Sequence, residues 1–142
     1  MISFEECKKR GKIVAFRSGP SLVSKELETA EFDLNSAIAS RKEKNYKWAI
    51  IQAYFSIFHC SRALLFDKKF NEHSHICLYQ AIKELFGRDG EISKQDFDNL
   101  MRSKSLREAA DYNFKSDAVS AKFIVKFADD FLKKCQAILT KS

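Results

Sequence analysis

With 142 residues and a formal net charge of +6, from 25 basic and 19 acidic side chains, the chain is long enough for one compact domain and leaves RNA, a nucleotide phosphate or an acidic partner open as ligands. Its lysines are spread along the sequence without a single patch, so a solvated basic surface is the favoured account of the charge. One proline and four glycines leave few positions for strands and hairpins.

The amino terminus, MISFEECKKR, lacks a long apolar stretch and a small-residue cleavage site, so it does not read as a signal peptide. A short helix is expected over residues 3 to 10, ending near Gly11. The segment KIVAFRSGP reads as irregular or extended, closed by Gly19-Pro20. Ser21 or Ser24 is the expected cap of a second helix, in which Leu27, Ala30, Leu34, Ile38 and Arg41 recur at helical spacing. Its acidic residues come early (Glu26, Glu28, Glu31, Asp33) and its basic ones late (Arg41, Lys42, Lys44), an order that complements the helix dipole.

Asn45 is the expected cap of a long helix, YKWAIIQAYFSIFHCSRALLF, over Tyr46 to Phe66. At 100° per residue, Ile50, Tyr54, Ile57, Phe58, Ser61, Leu64 and Leu65 share one face, while Trp48, Phe55 and Phe66 lie on another. A helix apolar all round is buried on more than one side. Its uncharged run, Trp48 to Ser61, is shorter than a bilayer requires, so no membrane span is expected. Gln52, His59 and Arg62 sit among the apolar residues. Left without partners in a buried setting, such groups cost roughly 1–3 kcal/mol each.

DKKFNEHSH reads as a polar loop, followed by a helix capped by Ser74 and stopped by Gly87, with Ile76, Tyr79, Ile82 and Phe86 as its apolar stripe. A fifth helix is expected from Ser93 to Tyr112, and NFKS punctuates it. A last amphipathic helix, Asp117 to Leu139, turns Val119, Phe123, Phe127, Phe131, Cys135 and Ile138 inward. No repeat or low-complexity tract appears, so residues 1–142 read as a single all-α domain, an up-and-down bundle of about five helices. Cys7, Cys60, Cys77 and Cys135 are scattered, without a C-x-x-C pair. They are expected to be small core residues in a reducing compartment, which fits a cytoplasmic protein.

No phosphate-binding glycine loop, zinc-protease motif or nucleophile elbow is present. His73-x-His75 with Cys77 lacks a convincing second ligand pair, so neither a metal nor a cofactor is expected. His75 falls in the first turn of its helix, where the helix dipole disfavours imidazolium; it reads either as a ligand contact or as a helix-entry residue bonded to nearby backbone. In LREAADY, Asp111 is one turn from Arg107 and can pair with it. Exposed, that pair is an ordinary salt bridge; buried, it anchors a specific geometry.

The order of three segments carries a resemblance. Ala53 to His59 (AYFSIFH) stands on the long helix, Ser74-His75 opens the next, and Arg107 to Tyr112 (REAADY) follows. Together they resemble the HEPN domain, and within it a small stand-alone prokaryotic subgroup, over roughly residues 22 to 138. The resemblance implies a helical bundle, commonly a homodimer, frequently encoded beside a minimal nucleotidyltransferase as toxin and antitoxin. Many such proteins are metal-independent ribonucleases, in which an arginine stabilises phosphorane charge and a histidine four to six residues on moves protons.

Arg107 matches the arginine, but Tyr112 stands where the histidine is expected. The tyrosine two residues further, which accepts nucleotidyl groups in toxin relatives, is replaced by Phe114. A phenol near its ordinary pKa of about 10 is a poor base at neutral pH. The first expectation is therefore a binding module with little or no catalysis. Tyr54, His59, Arg62, His75, Arg107, Asp111 and Tyr112 would line a groove for a nucleotide, RNA or a nucleotidyltransferase partner. A second is a ribonuclease toxin using Arg107 with His59 or His75 as the catalytic groups. A third is a structural homodimer in which Gln52, His59 and Arg62 satisfy one another across a seam.

Overall fold

The computed structural model describes residues 1–112 and 115–141, and most of its helices begin at the polar residues that flank apolar periodicity. They are α1 (Phe4–Lys9), α2 (Val23–Lys42), α3 (Tyr46–Asp67), α4 (His75–Gly87), α5 (Lys94–Tyr112) and α6 (Ala118–Thr140). Ser3, Ser74 and Asp117 each accept a backbone N–H from the first turn that follows. Ser93 and Asp96 cap α5 reciprocally, each side chain accepting the other's backbone N–H. Two expected caps are different. Asn45 precedes α3 without a side-chain bond, and neither Ser21 nor Ser24 caps α2, because a 3-10 turn (Gly19–Leu22) runs directly into that helix.

The three-residue link between α2 and α3 forces an antiparallel pair. Its register is visible in the polar contacts between the two helices. Ser40 pairs with Gln52 at 2.6 Å, Ser56 Oγ donates to Ala30 O at 2.7 Å, and His59 Nδ1 meets Glu26 Oε2 at 2.6 Å. Helix α6 packs on both, with Phe127, Phe131 and Cys135 buried, while α4 and α5 close the remaining sides of α3. This is the expected all-α bundle of five long helices, with α1 as a short appendage.

Helix α3 is the axle. All seven residues of its expected first face are buried, and Phe66 on the second lies beneath Phe16. By length and apolar composition α3 could cross a membrane, yet 78% of that stretch is buried inside the fold. A helix wrapped by its own chain reads as a core element. Trp48 departs from expectation: 48% of it is exposed. So does Val119, which sits in the first turn of α6 beyond the end of the core and is 74% exposed rather than inward.

Two features of the N-terminal arm correct the sequence reading. The polar loop after α3 contains a strand, β2 (Phe70–Glu72), paired antiparallel with β1 (Ile13–Ala15). Cys7 and Cys77 are joined by a disulfide; they are not free core thiols, whereas Cys60 and Cys135 are free and buried. Gly19 permits the arm's return. A Cβ there would lie 2.4 Å from the Phe66 carbonyl oxygen, closer than two non-bonded atoms can approach.

Candidate functional site

His75 opens α4 directly after its Ser74 cap, with β2 and the disulfide on either side of it. The arm braces this point twice: His73 N donates to Lys12 O (2.8 Å), and Cys77 is bonded to Cys7. The disulfide also removes Cys77 as a metal ligand beside His73 and His75. Among the described residues, no group of three or more His, Cys, Asp or Glu side chains is placed to hold a metal ion.

The imidazole of His75 is stacked on Phe58, centroids 4.4 Å apart, and its Nδ1 lies 2.6 Å from the hydroxyl of Tyr54. Tyr54 is fully buried, and its hydroxyl accepts from Tyr79, equally buried, at 2.7 Å. Burial pushes the Tyr54 phenol up to about 12 and raises that of Tyr79 well above its ordinary value, so both remain protonated donors. Burial lowers the pKa of His75, and the positive charges of Arg107, Lys104 and Arg62 lower it further. The imidazole is neutral at pH 7.

Arg107 reaches the same place from α5. Its guanidinium lies over the rings of Tyr54 (5.8 Å), Phe55 (5.3 Å) and Tyr112 (5.8 Å) and pairs with Asp111 at 3.3 Å. It is largely enclosed, and its Nε is buried without a hydrogen-bond partner. A buried N–H left unpaired costs about 1–3 kcal/mol. Tyr112 is two-thirds exposed at the rim. Phe114 lies outside the described residues.

His59 and Arg62 project from α3 into a neighbouring cluster instead. His59 is bracketed by Glu26 (2.6 Å) and Asp33 (3.8 Å), and Arg62 by Glu26 (3.6 Å) and Glu72 (3.5 Å). The Arg62 Nε contact with Glu72 is an ion pair without hydrogen-bond geometry, since that Nε is also unpartnered. Burial raises the carboxyl pKa of both Asp33 and Glu72, against the pull of His59 on the first and Arg62 on the second. Thus Gln52, His59 and Arg62 each meet a partner within one chain, although the Arg62 Nε stays without a hydrogen bond.

The seven expected residues therefore divide. Tyr54, His75, Arg107, Asp111 and Tyr112 converge, while His59 and Arg62 stand beside them across the Phe58 ring, which faces His75, His59 and Arg62 alike. Sequence reasoning missed Tyr79, placed in an apolar stripe, although its four-residue spacing from His75 puts both on one helical face. It also missed Glu26, Asp33 and Glu72. Their pattern is that of a solvated surface until α2, α3 and β2 are packed. A pocket of about 430 Å³ opens elsewhere, between α5 and α6, lined by Asn99, Val119, Phe123 and Phe127 among others; it shares no residue with the cluster.

The fold is an all-α bundle whose long central helix presents a buried tyrosine to a helix-entry histidine, with an arginine over the same ring. A profile described as the HEPN domain matches residues 23–138, and the chain belongs to that family. Among its relatives in Methanocaldococcus jannaschii is "Putative toxin MJ0605", 30% identical over 114 residues, covering 80% of this chain and 85% of the relative. Another is "Putative toxin MJ0142", 26% identical over 132 residues, covering 92% and 89% respectively. The N-terminal arm precedes the residues that match the family profile.

Proposed function

We propose that the chain is the HEPN component of a toxin–antitoxin type module, and that Arg107 and His75 form a site for phosphate-bearing ligands, RNA or nucleotide. The naming of both relatives as toxins supports the module. One observation carries the site: an enclosed guanidinium with an unpartnered Nε stands over the same tyrosine that holds a neutral imidazole. Guanidinium and imidazole N–H groups are suited to phosphate oxygens, and a largely enclosed arginine has already lost much of its hydration. A homodimer and a minimal nucleotidyltransferase partner complete the proposal and rest on the family resemblance; a cytoplasmic location is kept from the sequence reading, with Cys60 and Cys135 as its free buried thiols now that Cys7 and Cys77 are joined.

The test is fluorescence anisotropy with a labelled single-stranded RNA and competition by nucleoside monophosphates. Arg107→Ala is expected to weaken binding ten- to a hundredfold while the protein remains folded, since charge-assisted hydrogen bonds are worth about 1.5–3 kcal/mol. Equal affinities for wild type and variant would refute the site. Incubation with a mixed RNA pool is expected to leave the RNA intact. Cleavage abolished by His75→Ala would replace the binding reading with the ribonuclease one.

A further inference from the structure

Three heteroatoms stand in line at the site: the Tyr79 oxygen, the Tyr54 oxygen 2.7 Å away, and His75 Nδ1 a further 2.6 Å on. Two hydrogen bonds join them, and two phenol protons are available. If Tyr79 donates to Tyr54 and Tyr54 donates to Nδ1, both protons are used and Nδ1 offers its lone pair. If Nδ1 carries a proton instead, it donates to the Tyr54 oxygen, and one of the two phenol protons, both on fully buried residues, has no acceptor among the described residues. An orphaned buried donor biases such an equilibrium roughly 5- to 150-fold. The first arrangement therefore holds.

We propose that the buried Tyr79–Tyr54 pair is a positioning device that locks His75 as its Nε2–H tautomer, so that the site offers donors and selects ligands by their phosphate oxygens. This rests on the reading of the cluster as a phosphate site, and it specifies how that site recognises its ligand. Tyr54 is fully buried and acts through His75. The carboxylates nearby are each engaged by a cation: Asp111 by Arg107, Glu108 by Lys104, Glu72 by Arg62. What remains for a ligand is the Nε2–H of His75 and the exposed fifth of the Arg107 side chain, and both complement an anionic oxygen.

The experiment is long-range ¹H–¹⁵N correlation on ¹⁵N-histidine protein at pH 8, with His75 assigned by its loss in His75→Gln. Wild type is expected to show Nδ1 unprotonated and Nε2 protonated. Tyr54→Phe removes the donor to Nδ1, and the minor tautomer should rise fivefold or more. Tyr79→Phe gives the discriminating result. The Tyr54 proton still needs an acceptor there, so the tautomer should persist. A packing role alone would make the two tyrosine variants alike. A protonated Nδ1 in wild type, or an unchanged ratio in Tyr54→Phe, overturns the lock whatever the ligand proves to be. RNA and adenosine monophosphate are then titrated separately. Affinity for either should fall in Tyr54→Phe and hold in Tyr79→Phe, and the tighter of the two identifies the source of the phosphate. A lock confirmed by the spectra with no affinity for either ligand overturns the phosphate reading alone.

Discussion

Reducing the Cys7–Cys77 disulfide is a demanding test of how the arm is held. The bond closes a loop with a sequence separation of 70, and in the chain-entropy account a loop of that size restricts the unfolded ensemble by about 4 kcal/mol. Without it, the arm is retained by burial of Phe4, Cys7 and Ile13 and by the short β1–β2 pairing. For a chain of this size each kcal/mol moves Tm by roughly 2–4 °C, so reduction should lower Tm by roughly 8–16 °C. The assay is thermal unfolding followed by circular dichroism with and without a dithiol, beside Cys7→Ala and, as control, Cys60→Ala. Thiol titration in denaturant should count two thiols before reduction and four after, since Cys60 and Cys135 are free. Cys7→Ala should reproduce the reduced protein's loss and abolish its response to the dithiol. If the titration shows the bond formed and then broken, yet Tm falls by less than about 2 °C, loop closure does not govern this arm.

His75 predicts a pH dependence of stability. Its folded pKa lies below the unfolded value of 6.5, so between the two the unfolded chain binds more protons, and stability present above pH 6.5 is lost as the pH falls below it. Asp33 and Glu72 act with the opposite sign at lower pH, because their pKa values are raised above 3.8 and 4.5 and the native state there binds more protons. Urea midpoints from pH 5 to 7.5 should therefore fall more steeply toward acid for wild type than for His75→Gln, and parallel curves would discard the assignment. His59→Gln should lower stability by about 1–3 kcal/mol, since it leaves Glu26 and Asp33 without their shared partner in a half-buried cluster. It should leave RNA affinity unchanged; a tenfold loss of binding in a folded variant would show that the two clusters act as one site.

How much the sequence revealed follows from how far apart the cooperating residues are. The run of apolar residues around Ala53 to Leu65 settles α3 without help from any other segment, and Ser74 and Asp117 announce their helices because a cap acts within its own turn. Strand β2 is different. Its strand partner is Ile13–Ala15, far back in the chain, so FNE by itself reads as polar loop. The same distance hid the partners of His59, because Glu26 and Asp33 lie on α2 where early acidic residues already have a local explanation in the helix dipole. Cys7 and Cys77 carry no local sign of pairing at all. Within the site, Arg107–Asp111 was legible as a one-turn spacing. The Tyr79–Tyr54–His75 line needed α3 and α4 to be packed side by side before three ordinary residues became one device.

That device bears on the choice between binding and cutting RNA. A base that takes a proton from a 2′-hydroxyl needs a lone pair facing the substrate, and in His75 the lone pair is turned inward at Nδ1, spent on Tyr54. The two phenols behind it are held protonated by burial and supply no base either. To cleave, the site would have to reverse the tautomer and orphan a buried phenol proton, a penalty of roughly 5- to 150-fold on every turnover. Arg107 meets no such obstacle, because an arginine needs no change of protonation to hold a phosphate. Under the proposed reading, the site keeps the charge-stabilising half of a ribonuclease while its imidazole serves as a donor, an arrangement suited to holding a phosphodiester rather than breaking it.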